Sequence, residues 1–102
     1  MPFSEWHTVY KNPDGAGYIL DVQVEINSHF TTRVVVPLLV LEDIPVHAKI
    51  LNPVFEIEGE SVVMVTLGLA AVPCQILKRP AGSLAGNRAE IVSALDLLFQ
   101  GF

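Results

Sequence analysis

Positive charge is scarce in this chain. Six Lys and Arg (Lys11, Arg33, Lys49, Lys78, Arg79 and Arg88) stand against eleven Asp and Glu, a formal net charge of −5. Nucleic-acid binders carry basic stripes that neutralise phosphates. Six scattered cations on an acidic chain make no such stripe, so direct DNA or RNA binding is disfavoured. A protein partner with a basic surface or tail suits this charge better. Cysteine is nearly absent: Cys74 is alone, so no internal disulfide can form, and its expected role is that of a small buried hydrophobe. Long hydrophobic runs are missing as well. The longest, Val34 to Leu41, is eight residues with Pro37 inside it, far short of the ~20 that a membrane helix needs. It reads as a buried strand. Pro2, Glu5 and His7 interrupt the start, and no basic region precedes an apolar stretch, so no signal peptide is expected and cytoplasm is the expected location.

A catalytic constellation is also lacking. His7, His29 and His47 have no metal-ligand spacing, and Cys74 stands apart from them; they read as surface or loop histidines. Asp21 and Glu25 share a strand face, and Glu58 and Glu60 lie near a turn. Paired carboxylates do acid–base work only in a pocket that shifts one pKa. On a solvated strand they form the wet face. Ser4, Ser28, Ser61, Ser83 and Ser93 fit no nucleophile elbow, and Gly82 and Gly86 form no phosphate-binding fingerprint. The sequence assigns no reaction, catalytic residue, metal or cofactor, and the expectation is a non-enzyme.

Apolar residues, by contrast, are abundant: 51% of the 102 residues are hydrophobic and only 17% are charged. A single domain spanning 1–102 buries only about 60–70% of its unfolded surface. Apolar surface is therefore expected to meet a partner, most simply in a homodimer.

Phe3 to Tyr10 reads as a first strand, and Asn12-Pro13-Asp14-Gly15 with Gly17 as a loop. Tyr18 to Ile26 alternates, with Tyr18, Leu20, Val22, Val24 and Ile26 on one face and Asp21, Gln23 and Glu25 on a wet one. Thr31 to Leu39 is a more fully buried strand, antiparallel to it across Asn27-Ser28-His29. The segment Leu41 to Leu51 reads ambiguously, since Pro45 opposes a long helix. Val54–Ile57 and Ser61–Leu67 form a hairpin over Glu58-Gly59-Glu60. Ala70–Leu77 is a short extended piece broken by Pro73, and Pro80-Ala-Gly-Ser reads as a loop.

The final segment reads as a helix. Asn87 can cap it, with Glu90 returning the bond. At ~100° per residue, Ile91, Leu95, Leu98 and Phe102 form one stripe, widened by Val92 and Phe99. Ala89, Ser93, Asp96 and Gln100 gather opposite, with Leu97 toward their side. The sum is a β-rich α+β domain: an antiparallel sheet or partly closed barrel with a C-terminal helix packed on it. Two features read as binding signals. One is the helix end Phe99-Gln100-Gly101-Phe102, where Phe102 either anchors a partner or tucks into the core. The other is the loop Lys11 to Gly17, whose bland reading is a turn.

Several segments together resemble a known family. Leu-Asp-Val-Gln at 20–23 is followed by Arg-Val-Val-Val-Pro-Leu at 33–38. Leu-Asn-Pro-Val-Phe-Glu-Ile at 51–57 and Gly-Glu-Ser at 59–61 come next. Ala-Ala-Val-Pro at 70–73 and Leu-Leu-Phe-Gln-Gly-Phe at the end complete the set. Their order and spacing resemble the CcdB toxins of plasmid and chromosomal addiction modules, from about Phe3 to the last residue. The resemblance implies a fold close to the MazF/Kid toxins, with a main antiparallel sheet, a small second sheet, a C-terminal helix and a homodimer.

It also implies an activity. Such a toxin inserts into the DNA gyrase A-subunit dimer and traps the complex with cleaved DNA, a topoisomerase poison serving plasmid maintenance. A partly disordered CcdA-like antitoxin wraps the toxin and extracts it. The complex represses its own operon, so operator DNA is touched only through the antitoxin, and no membrane is involved. Carried over by position, the gyrase-binding residues are Ile26, Asn27, Ser93, Asp96, Phe99, Gln100, Gly101 and Phe102. The antitoxin is expected at Tyr10, Lys11, Asn12, Asp14 and Gly15, and around Leu41 to Lys49. The chain departs from the family's best-known member at Gln100, Asn27, Asp96 and Phe102, where that protein has Trp, Ile, Asn and Ile. Two alternatives stay open on the same frame: a MazF/Kid-like endoribonuclease toxin, and an inactive homologue that only binds antitoxin.

Overall fold

A computed structural model describes residues 7–23, 31–41 and 50–101. Seven strands form one antiparallel sheet among these residues: β1 (Thr8–Lys11), β2 (Tyr18–Asp21), β3 (Thr32–Val40), β4 (Val54–Ile57), β5 (Glu60–Met64), β6 (Ala70–Pro73) and β7 (Pro80–Ser83). One helix, α1 (Arg88–Gln100), follows. The strand order is β4-β5-β3-β2-β1-β7, with β6 paired to β3 off this path. The sheet curls into a half-barrel, which makes the fold α+β and β-rich, as the sequence reading expects. Among the described residues no helix is long and apolar enough to cross a membrane.

The nine-residue β3 organises the sheet. Along one edge it pairs with β2 from Val35 to Leu38. Along the other it pairs first with β6, from Thr32 to Val35, and then with β5, from Leu38 to Val40. Pro37 lies in the gap between those two partners. A proline cannot donate to a ladder, and here no ladder donor is needed. Its carbonyl still accepts from the Val65 amide at 2.9 Å. A Cβ on Gly68 would come within 2.7 Å of the Pro37 ring, so this turn packs only around glycine.

Both faces of the sheet are covered. Val9, Leu20, Val36, Leu38, Phe55, Ile57, Val62 and Met64 point to one side and pack with Leu84, Ile91 and Ala94 around α1. Tyr10, Ile19 and Val35 point to the other side and meet Val72, Ile76 and Leu77. The two-residue period of a strand thus feeds two apolar clusters. All four residues of β2 are buried as a result.

This corrects the wet face expected for the second strand. Asp21 is fully buried and ion-paired with Arg33, whose Nε donates to Oδ2 and Nη2 to Oδ1, both at 3.0 Å. Arg33 Nη2 also donates to the Gln23 carbonyl at 2.7 Å, and the Gln23 side chain accepts from the Val34 amide at 2.8 Å. Asp21 and Gln23 thus close an internal network instead of facing water, while Glu25 lies outside the described residues.

Other boundaries shift. The first strand begins at Thr8, because His7 has φ +64° and interrupts an extended path; residues 1–6 lie outside the described part. The second strand ends at Asp21, and residues 24–30 are likewise outside it, as are 42–49, which hold most of the ambiguous segment. β5 stops at Met64 and a 3-10 turn, Thr66–Gly68, follows. Pro80–Ser83 is not a loop but strand β7, held by antiparallel pairing to β1.

The hairpin over Glu58-Gly59-Glu60 forms as expected. Its central residues Glu58 and Gly59 have φ +53° and +80°, the pair of positive values that matches the twist of the flanking strands. The helix starts at Arg88 without the expected reciprocal cap: the Asn87 side chain donates to the Glu90 carboxylate at 3.1 Å and caps no backbone amide.

Candidate docking site

The helix is pinned through Ile91 and Ala94, both fully buried, with Leu95 packed beside them. Residues three and four apart share a face, so burying these sends Ser93, Asp96 and Gln100 outward, and all three are exposed. Phe99 departs from the expected apolar stripe. It is 70% exposed and lies on the outward side, where a bare aromatic ring has no intramolecular reason to be. Gly101 ends the helix in a left-handed cap, φ +82°, its amide donating to the Leu97 carbonyl at 3.0 Å. The structure therefore brings Ser93, Asp96, Phe99, Gln100 and Gly101 together on one helix and its cap. Ile26, Asn27 and Phe102 lie outside the described residues.

Two apolar neighbours were not singled out by the sequence reading. Leu67, 72% exposed, sits in the 3-10 turn that packs against α1. The sequence pattern extends the strand to Leu67, but β5 stops at Met64 and Leu67 falls in the turn instead. Ile50, 71% exposed, helps line a hollow of about 380 Å³ with Pro53, Ala89, Glu90 and Ser93. Ile50 and Leu67 thus place exposed apolar groups on elements that border α1, and exposed apolar surface of this kind marks contact sites.

The second candidate surface is the β1–β2 loop. Asn12 folds it: its Oδ1 accepts from the Asp14 amide at 2.9 Å, and its Nδ2 donates to the Ala16 carbonyl at 3.2 Å. Gly17, φ +88°, closes it against β3, where a Cβ would lie 2.7 Å from the Leu38 carbonyl oxygen. Lys11 pairs with Glu58 at 3.6 Å, which ties the strand before the loop to the β4–β5 hairpin. Lys11, Asp14 and Gly15 are exposed and Asn12 is half-buried. Tyr10 is buried in the second cluster, so its ring is not part of this surface.

Among the described residues, two buried groups have an altered affinity for protons. His7 is buried, not a surface histidine; burial lowers its pKa, the Arg88 charge lowers it further, and Asp21 opposes both. Burial also raises the Tyr18 pKa, assisted by its hydrogen bonds to Glu58 at 3.0 Å and Glu60 at 3.5 Å. Cys74 is half-buried in a 3-10 turn rather than in the core. Among the described residues no three His, Cys, Asp or Glu converge as metal ligands.

No curated protein matches the chain. Residues 6–101 do match the family described as CcdB protein. With that match spanning the sheet, the β1–β2 loop and α1, the chain belongs to the CcdB family and is a toxin of a toxin–antitoxin system.

Proposed function

We propose that this toxin binds the A subunit of DNA gyrase through the outward side of α1 and traps the gyrase–cleaved DNA complex. One observation carries the reading: Phe99 stands 70% exposed at the end of a helix that is pinned to the core by the fully buried Ile91 and Ala94. Interface hot spots centre on such aromatic anchors ringed by polar groups. Ser93, Asp96 and Gln100 supply that ring. With Gln100 in place of the Trp of the best-known member, one anchor is lost and affinity for gyrase drops, by about tenfold for each 1.4 kcal/mol.

The partners follow from the same reading. The toxin is a homodimer that hides part of its large apolar content between two copies. A cognate antitoxin docks on the β1–β2 loop at Lys11, Asn12, Asp14 and Gly15, next to the buried Tyr10 in the chain. The toxin reaches operator DNA only through the antitoxin, represses their operon with it, and acts in the cytoplasm, where gyrase works. It is a binding protein and not an enzyme.

Expression in bacteria tests this. Growth is expected to stop in a sensitive strain, to continue in a strain carrying a gyrase A-subunit resistance mutation, and to resume when the antitoxin is co-expressed. Equal arrest in both strains sinks the gyrase assignment. No arrest in either strain leaves an antitoxin-binding homologue.

A further inference from the structure

Half of the chain's cations meet at one place. Lys11, at the end of β1, and Lys78 and Arg79, just before β7, line a hollow of about 500 Å³ with Pro13, Gln75 and Ile76. Among the described residues no carboxylate lines it. The topology causes this: β7 pairs antiparallel with β1, and the Lys11 amide donates to the Arg79 carbonyl at 2.9 Å, which sets the two side chains beside each other. Lys11 shares its charge with Glu58 at 3.6 Å, but Lys78 and Arg79 are exposed and make no ion pair among the described residues. A second hollow of about 300 Å³ continues past Lys11 and Arg79 toward Gly17 and Tyr18. Glu60 lines that second hollow as well, so the basic channel is confined to the first.

Three like charges in one concavity are unusual on a chain whose net charge is −5. They repel one another in the free protein, and an anionic occupant relieves that repulsion. Its chemistry is narrowed by the other lining. Pro13 and Ile76 offer apolar floor, which suits side chains alternating with carboxylates and not a phosphate backbone. A polynucleotide also needs more neutralised phosphates than three cations supply, and it meets an acidic protein everywhere else.

We infer that the Lys11–Lys78–Arg79 channel is a binding site for an extended acidic segment of a partner protein, its carboxylates on the three cations and its apolar residues on Ile76 and Pro13. This goes beyond the gyrase and antitoxin assignments, since the channel lies apart from α1 and shares only Lys11 with the antitoxin residues.

The probe is a fluorescent synthetic peptide of about ten residues alternating Glu with Leu, ~33 Å when extended, titrated with the full-length toxin and read by anisotropy. Binding is expected. It weakens at least tenfold in K78E/R79E, less in K78Q/R79Q, and falls as ionic strength rises above about 0.1 M, where screening sets in within ~10 Å. The F99A variant binds as wild type. Both charged side chains are exposed, so the variants fold, which circular dichroism verifies. Equal binding of a Gln-for-Glu peptide, unchanged binding in K78E/R79E, or tighter binding of an oligouridylate of the same length overturns the proposal.

Discussion

Arg33 holds Asp21 through two parallel hydrogen bonds, Nε to Oδ2 and Nη2 to Oδ1, each 3.0 Å, with the carboxylate fully buried. The pair joins β2 to β3. A fork-to-carboxylate contact gives register as well as energy. It is costly to break on one side, because the remaining charge has no water.

Asp21→Ala is therefore expected to destabilise the protein by about 3–5 kcal/mol, and Arg33→Met by a similar amount. The double variant D21L/R33M is expected to recover most of that loss, since two apolar groups leave no orphan charge. Urea unfolding of the four proteins measures this. Additive losses contradict an ion pair acting as a unit.

Two of the glycines with positive φ, Gly59 and Gly17, separate backbone strain from crowding. Gly59, at φ +80°, has open space where a Cβ would go, so Gly59→Ala is expected to cost about 1 kcal/mol, from conformation alone. Gly17, at φ +88°, meets the Leu38 carbonyl oxygen at 2.7 Å, so Gly17→Ala is expected to cost clearly more, about 2 kcal/mol or above. Equal shifts in thermal midpoint rule out the close approach of the loop to β3.

Stability is expected to depend on pH through His7. Burial and then Arg88 lower its pKa, so the fold prefers the neutral ring. The unfolded chain binds a proton below about 6.5. The contribution of neutral His7 is therefore complete above that value and is lost as pH falls toward the lowered folded value. The urea midpoint should fall between pH about 7.5 and about 5.5. His7→Asn, which tolerates the positive φ of this position, should flatten that dependence. An unchanged profile in His7→Asn assigns it to other groups.

The helix separates stability from docking. Ile91→Ala empties a fully buried position and is expected to cost about 2–5 kcal/mol. Phe99→Ala, at a 70% exposed position, is expected to stay within about 0.5 kcal/mol of wild type. Growth arrest should follow the opposite order, with F99A harmless at normal expression. A destabilised F99A would mean that its ring packs inside the molecule.

Much of this was legible in the sequence where local rules and tertiary packing agree. The β4–β5 hairpin follows from Gly59 in a turn that needs positive φ. The outward set Ser93, Asp96 and Gln100 follows from helical periodicity. Strand β7 was not legible, because Pro80-Ala-Gly-Ser has turn composition and is extended only through its pairing with β1. Asp21 was misread for a related reason. Alternation marks two faces but not what covers each, and here Val72, Ile76 and Leu77 close the face that looked wet. Phe99 sat at the margin of the helical stripe, and only the fit of Ile91 and Ala94 into the core decides its side. The basic channel is invisible along the chain, since Lys11 and Arg79 meet only across the sheet.

The most direct measurement is a cleavage assay with purified components: gyrase, supercoiled plasmid, ATP and the toxin, with long RNA in a parallel reaction. Linear plasmid is expected to accumulate on denaturing the complex, strongly reduced with F99A, while the RNA stays intact. Cleaved RNA with no linear plasmid contradicts docking on gyrase through α1 and makes the toxin a ribonuclease.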